Sequence, residues 1–217
     1  MLDVHFVFLG AVIGLAGSLS YARDTLRGVT QPNRVTWLLW AVAPMLAAVA
    51  EIRQGVGLQW VMTFVVGFGP LLVLVASFIS RGGVWRLGAF DVACGCASVC
   101  GLAVWAITDN NTVALISFVI ADALACLPTL AKSWRVPQSE SVSAYATALV
   151  NALLTLATVS VWTLGAVAFP LWIASINVVF VSLIAGRLGP RFRGESAPVA
   201  TESLERVLGR PRPSESG

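Results

Sequence analysis

Seven long runs of apolar residues, separated by short polar segments, dominate the pattern along the chain. The runs are continuous and do not alternate at every second residue, which is typical of helices and not of strands. About 20 apolar residues in a helix suffice to cross the roughly 30 Å core of a bilayer. The pattern therefore predicts an all-α integral membrane protein with seven transmembrane helices. These cover Val4–Tyr21, Val35–Ala50, Leu58–Ser80, Val92–Thr108, Thr112–Ala131, Ala144–Thr163 and Val167–Gly186.

The composition agrees with this pattern and excludes a water-soluble protein. Of the 217 residues, 57% are apolar and only 12% are charged. A soluble domain carries about 45–50% apolar and about 25% charged residues, and a chain of this length cannot bury so much apolar surface in a core. The spans leave no room for a separate catalytic domain. We therefore expect the lipid bilayer as the main partner, no nucleic acid and no enzymatic activity.

The positive charges predict how the spans are oriented. The loops after the first, third and fifth spans contain seven of the 14 Lys and Arg residues, and the tail after the seventh span contains six. Only Arg53 lies in a loop on the other side. Because positively charged short loops stay in the cytoplasm, we predict an N-terminus outside and a C-terminus in the cytoplasm.

The two ends of the chain, and the preference for arginine over lysine, indicate where in the cell the protein lies. The first five residues lack the basic region of a secretory signal, so we expect no cleaved leader. Residues 187–217 are rich in Arg, Pro, Glu and Ser, which predicts a disordered cytoplasmic tail. Thirteen arginines against one lysine are typical of GC-rich bacteria. We therefore expect a multi-pass protein of a bacterial plasma or inner membrane.

Weak similarity between two parts of the chain indicates an internal repeat. With a shift of 107 residues, Gln31 falls on Gln138 and Thr36 falls on Ser143. Each half then has a span, a basic loop and a second span that opens beside a small hydroxyl residue. Two parallel repeats of three spans need one extra helix between them, because three is odd. The predicted arrangement is a first bundle in residues 1–80, a linker helix in 81–111 and a second bundle in 112–186.

A spaced motif joins the fifth and sixth spans. Pro128 lies near the end of one span, a basic loop follows, and Ser143 opens the next span. This spacing resembles the PQ-loop of the SWEET and PQ-loop superfamily of seven-helix membrane proteins, with Thr129 in place of the glutamine. The resemblance implies a secondary transporter of a small polar solute that works by alternating access, and it allows a homo-oligomer. In the first half Tyr21-Ala22 stands in place of Pro-Gln, so a non-transporting scaffold, receptor or assembly partner is the alternative.

Three polar residues lie deep inside apolar spans and are the candidate substrate-binding residues. Asp122 lies about ten residues into the fifth span, near the bilayer midplane. An ionised carboxylate there costs about 2.5–3.5 kcal/mol, so we expect a neutral side chain or one that faces a cavity. Asn177 lies at a similar depth in the seventh span, where the resemblance implies an asparagine at the central site, and Asn151 is a third candidate. For all three, hydrogen bonding between helices is the alternative to contact with a solute.

Two prolines inside the spans are candidate hinges. Pro44 and Pro128 each remove a backbone hydrogen bond and can kink their helices, which a rocking motion between two access states would use. Prolines that gate nothing are also common in membrane helices. We expect no metal and no cofactor, because the four cysteines lack zinc-site spacing and the chain has one histidine. The only lysine, Lys132, is predicted to lie in a cytoplasmic loop.

Overall fold

The computed structural model describes residues 6–53, 59–80, 86–159 and 161–188. All regular secondary structure in these residues is helical. The seven α-helices are α1 Phe6–Leu26, α2 Arg34–Arg53, α3 Gln59–Ile79, α4 Ala89–Ile107, α5 Asn111–Arg135, α6 Val142–Thr158 and α7 Leu164–Ala185. A short 3-10 turn, Pro137–Ser139, lies between α5 and α6. Each predicted span coincides with one helix, and the predicted disordered tail beyond residue 188 lies outside the described residues.

Three of the helices are long and apolar enough to cross a membrane. The segments in question are Ala89–Ile107 of α4, Thr112–Arg135 of α5 and Ala166–Ala185 of α7. Helices α2, α3 and α6 contain shorter apolar segments. Large apolar side chains are exposed on the outer surface of all seven helices, whereas many polar side chains are buried between them. Apolar residues outside and polar residues inside are the distribution expected of helices in apolar surroundings.

Two helix ends differ from the predicted spans. Helix α1 continues beyond Tyr21 to Leu26, and the chain then turns at Gly28, whose φ of 75° is a conformation that glycine adopts without steric penalty. Helix α6 ends at Thr158, before the predicted end at Thr163. The hydroxyl of Thr163 instead accepts a hydrogen bond from the backbone nitrogen of Ala166 at 3.3 Å, so this residue begins α7.

The helices pack as two triplets that close into a ring. Helix α3 lies between α1 and α2, and α7 lies between α5 and α6. Contacts between α1 and α6 join the triplets on one side, and contacts of α2 with α5 join them on the other. Helix α4 packs on α5 and also touches α2. The two triplets share the same packing order, while the division of the chain into two related bundles and a linker stays a prediction.

One end of the ring, called the basic end below, holds the α1–α2, α3–α4 and α5–α6 connections. The backbone nitrogen of Gln31 donates to the carbonyl oxygen of Ser139 at 2.9 Å, which joins the first and third of these connections. The hydroxyl of Ser80 donates to the carbonyl oxygen of Thr25 at 2.7 Å, which joins the ends of α3 and α1. The described basic residues of this end are Arg23, Arg27, Arg34, Arg86, Lys132, Arg135 and Arg187.

Helices α1 and α6 approach closely because α1 presents glycine to α6. A Cβ atom at Gly17 would overlap the hydroxyl oxygen of Thr147 and would lie 2.9 Å from the backbone oxygen of Ser143. At Gly14, one turn earlier, the nearest atom to a Cβ would be the amide nitrogen of Asn151 at 4.0 Å, which is ordinary contact. Small residues that let two backbones approach are the usual basis of helix association in membranes.

Replacing Gly17 with alanine should therefore destabilise the protein, and replacing Gly14 should not. The added methyl group at Gly17 meets a backbone atom that no side-chain rotation can move, so we expect Gly17→Ala to cost about 1–3 kcal/mol. Gly14→Ala makes the same change in helix propensity and is the matched control. Thermal unfolding in detergent measures the difference, and equal melting temperatures for the two variants would contradict this account of the packing.

Candidate functional site

A cavity of about 330 Å³ lies inside the ring and is lined by residues of all seven helices. Its volume is at the lower end of the range of small-molecule sites, about 300–1,000 Å³. Most of the lining is aliphatic or aromatic, with a few polar side chains. A mostly apolar cavity with a small number of polar groups is typical of a site for a small molecule.

Asp122 reaches this cavity from the middle of α5. One of its carboxylate oxygens accepts a hydrogen bond from the indole nitrogen of Trp172 on α7 at 2.7 Å. The indole of Trp40 on α2 lies within hydrogen-bonding reach of the same carboxyl. Asp122 is the one formally charged side chain among the described residues that line the cavity. The carboxyl group therefore connects three helices and also faces the cavity.

The two candidate asparagines line the same cavity. Asn177 on α7 is buried, and its amide nitrogen donates to the carbonyl oxygen of Ile173, one turn earlier in its own helix, at 2.8 Å. Asn151 on α6 lies against Gly10 and Gly14 of α1, and a Cβ atom at Gly10 would overlap its amide oxygen. The structure thus brings Asp122, Asn151 and Asn177 together from α5, α6 and α7. Whether they bind a solute stays a prediction.

The two candidate hinge prolines differ in their surroundings. Pro44 lines the cavity, whereas Pro128 is fully buried and is not among the lining residues. Helix α5 is tied to α2 beside Pro128, because the hydroxyl of Thr36 donates to the carbonyl oxygen of Ala125 at 2.7 Å and accepts from the hydroxyl of Thr129 at 2.9 Å. The carbonyl that Pro128 frees is that of Leu124, so these bonds hold α2 against α5 beside the proline and do not replace the missing bond. Hinge motion at either proline stays a prediction.

A second polar group, not predicted from the sequence, lies at the basic end. We call it the Glu140 cluster, and it consists of Tyr21, Lys132, Glu140 and Tyr145. One oxygen of the Glu140 carboxylate accepts from the hydroxyls of Tyr21 and Tyr145 at 2.6 and 2.8 Å. The other oxygen forms an ion pair with the ammonium group of Lys132, and both side chains are fully buried. The cluster therefore joins α1, the end of α5 and the start of α6.

Lys132 is not in a solvated loop, as the sequence predicts, but inside the last turns of α5. The helix continues four residues past the predicted end of the span, to Arg135. The ammonium group of Lys132 also donates to the carbonyl oxygen of Gln31 in the α1–α2 connection. The ammonium group therefore joins the end of α5 to the α5–α6 and α1–α2 connections, which is a structural role.

The Glu140 cluster and the cavity share a boundary. Tyr145 lines the cavity with its ring and donates to Glu140 with its hydroxyl. Trp37, another lining residue, packs on Tyr21 with ring centroids 4.8 Å apart. Both aromatic residues lie in the first turn of their helices, α2 and α6, at the basic end. These rings thus separate the cavity from the buried ion pair.

The predicted internal repeat contains a signal that could have pointed to Glu140. With the same shift of 107 residues, Asn33 falls on Glu140, and they lie one and two residues before the second helix of their triplets. Both side chains are buried. The amide nitrogen of Asn33 donates to the carboxylate of Asp91 on α4 at 2.8 Å. A polar residue at equivalent positions of two loops is a pattern that the sequence contains, although its partners depend on the packing.

Among the described residues, no group of three or more His, Cys, Asp or Glu side chains is arranged to hold a metal ion. No protein-family model matches the sequence, and no curated protein or solved structure matches the chain.

Removing either partner of the Glu140–Lys132 pair should destabilise the protein strongly. Removing both should cost less stability than the two single losses added together. Lys132→Met leaves the carboxylate without its cation, and Glu140→Gln leaves the ammonium without its anion, each at a cost of about 3–5 kcal/mol. The double variant buries neither charge, and a glutamine still offers an oxygen to the two tyrosines. We expect its loss of stability to be clearly smaller than the sum of the single losses.

Thermal unfolding in detergent of the wild type, the two single variants and the double variant measures these losses of stability. Gln138→Ala is the control, because Gln138 is exposed in the same connection. Additive effects of the two substitutions would show that the two side chains are not coupled.

Proposed function

We propose that this chain is a seven-span carrier of a bacterial cell membrane, which moves a small polar solute by alternating access, in the manner of the SWEET and PQ-loop superfamily. The observation that carries the proposal is the cavity inside the ring, which Asp122, Asn151 and Asn177 all line. Isolated polar residues that serve only to join neighbouring helices have no reason to converge on one cavity of small-molecule size.

The distribution of side chains supports seven membrane spans. Three helices, α4, α5 and α7, have the length and apolarity of spans, and the other four complete the ring to which α5 and α7 belong. All seven expose large apolar side chains on the outside. A ring whose outer surface is apolar all round would have to be covered by lipid, because water would leave that surface unfavourably hydrated.

The positive charges support an orientation with the basic end in the cytoplasm. The described Lys and Arg residues of three connections lie at this end, and Lys132 is the one that is buried. Positively charged short loops favour the cytoplasmic side. The N-terminus would then lie outside, and the C-terminus after α7 would lie in the cytoplasm.

Opening of the cavity to the cytoplasm would have to separate the groups at the basic end. In the present conformation Tyr145 and Trp37 lie between the cavity and the ion pair of Glu140 with Lys132. Movement of the start of α6 away from α1 would break the bond from Tyr21 to Glu140. Rigid movement of one bundle against another around a central site is the usual form of alternating access.

If the cavity is a solute pathway, cysteines introduced in it should react with a membrane-impermeant thiol reagent. In a background without the four native cysteines, we expect Asp122→Cys and Asn177→Cys to react in lipid vesicles, since a thiolate forms only where water enters. Ile120→Cys is the matched control, because Ile120 lies on the outer surface of α5 and would face lipid. Unreactive cysteines at both cavity positions, together with a stoichiometric partner on purification, would favour the scaffold or assembly alternative.

Uptake into proteoliposomes tests transport itself. With a panel of sugars, amino acids, amines and carboxylates, we expect the wild type to accumulate at least one class faster than empty vesicles do. Asn177→Ala should lower the initial rate at subsaturating solute about 2–10-fold, the range for one lost hydrogen bond. Ser175→Ala, on the exposed face of the same helix, should leave the rate unchanged. No uptake of any class by the wild type would contradict the carrier.

A further inference from the structure

We propose that the solute is a small organic cation, a protonated amine with an apolar body. This inference rests on the proposed function, because it takes the cavity to be a solute site. It follows from three properties of the lining: the charge that faces the cavity, the hydrogen-bonding atoms that remain available and the aromatic rings around them.

The first property is the unbalanced charge. Asp122 is the one formally charged residue among the described residues of the lining. Two cations at the basic end of α5 and α2 are engaged elsewhere: Lys132 pairs with Glu140, and Arg34 bonds to Ser77 and lies 4.1 Å over the ring of Phe78. The partners of the Asp122 carboxyl are neutral indole groups. An ionised carboxylate in an apolar cavity is strongly stabilised by a cation, and here the solute would supply it.

The second property is that three of the four hydroxyl groups among the described lining residues donate their protons to the protein itself. The hydroxyl of Ser98 donates to the backbone carbonyl oxygen of Ala121 at 2.7 Å. The hydroxyl of Thr155 donates to the backbone carbonyl oxygen of Asn151 at 2.9 Å. The hydroxyl of Tyr145 donates to Glu140. Because these protons are engaged with the protein itself, the hydroxyls have only lone pairs to offer to a solute.

Asn177 follows the same pattern. Its amide nitrogen donates one of its two hydrogens to the backbone of its own helix, and its amide oxygen can accept a hydrogen bond from a solute. A carboxylate, an amide oxygen and hydroxyl lone pairs suit a group that only donates hydrogen bonds. A primary ammonium group has three donors and no acceptor, so it matches this set. The indole nitrogen of Trp37 also remains as a donor in the lining, so the charge of Asp122, and not the hydrogen-bonding set, separates an amine from a sugar.

The third property is the ring of aromatic side chains near Asp122. Trp40 lies beside the carboxyl and packs on Trp37 and Phe180, with ring centroids 5.4 and 6.3 Å apart. Phe118 lies one turn from Asp122 on α5 and packs on Phe169 of α7 at 4.9 Å. The faces of such rings attract cations, and their apolar surface suits the body of an amine. The faces of these rings disfavour a carboxylate or a phosphate, which Asp122 would also repel.

Three probes of nearly equal size and different charge test the inference. The full chain in nanodiscs is titrated with 2-phenylethylammonium, 2-phenylethanol and 3-phenylpropanoate. Binding is followed by the fluorescence of the cavity tryptophans and by the rise in melting temperature that a bound ligand causes. We expect the ammonium probe to bind more tightly than the other two, by about tenfold or more, the usual value of a charged hydrogen bond.

Substitution of Asp122 connects this binding to the carboxylate. Asp122→Asn should lower the affinity for the ammonium probe about tenfold or more while leaving the alcohol unaffected. Ser175→Ala should bind all three probes as the wild type does. Asp122→Glu keeps the charge and should retain the preference for the ammonium probe, so it provides the test if Asp122→Asn does not fold.

The outcomes separate this inference from the proposed carrier. Equal binding of the three probes, preference for the alcohol or the carboxylate, or no binding at all would overturn the cation site. If these binding results overturn the cation site but proteoliposomes take up another class of solute, the proposed carrier stands and only the cation site is rejected. Binding of the ammonium probe that depends on Asp122, without uptake of any amine, would support the site and contradict the carrier.

Discussion

The carboxylate of Glu140 is the group on which packing at the basic end depends. It accepts hydrogen bonds from tyrosines of α1 and α6 and pairs with a lysine of α5, so one side chain in a short connection holds three helices together. A buried charge that loses its partner in apolar surroundings costs several kcal/mol, which makes each of these contacts depend on the others. Further along the ring, where α1 meets α6, the helices are held by close apposition at Gly17 instead.

The polar cluster and the cavity are coupled through Tyr145. Its ring lines the cavity, while its hydroxyl belongs to the hydrogen bonds around Glu140. It also stacks on Phe180 of α7, with ring centroids 4.4 Å apart. In the proposed carrier, any shift at the start of α6 would therefore change the shape of the cavity and the contacts of the ion pair together. A solute that alters the position of this ring would act on the contacts that keep the basic end closed.

The sequence predicts the helices well because a long continuous apolar run has few alternatives to a helix. It also points to Asp122, Asn151 and Asn177, since a polar side chain in the middle of an apolar helix is costly unless it faces inward. It does not point to Glu140 and Lys132, because charges beside a loop are ordinarily solvated and their burial follows only from how three segments meet. Helix ends are uncertain for a related reason: they depend on capping contacts, which an apolar run does not encode.

The burial of the ion pair has a consequence for the chemistry of the whole chain. Lys132 is the single lysine in the sequence, and its ammonium group is held by Glu140 and by the backbone of the α1–α2 connection. Amine-acylating reagents and lysine-specific proteases consequently have one internal target, and the folded protein shields it. Acylation or cleavage at this position would require α1, α5 and α6 to part, so a single natural residue reports on that separation.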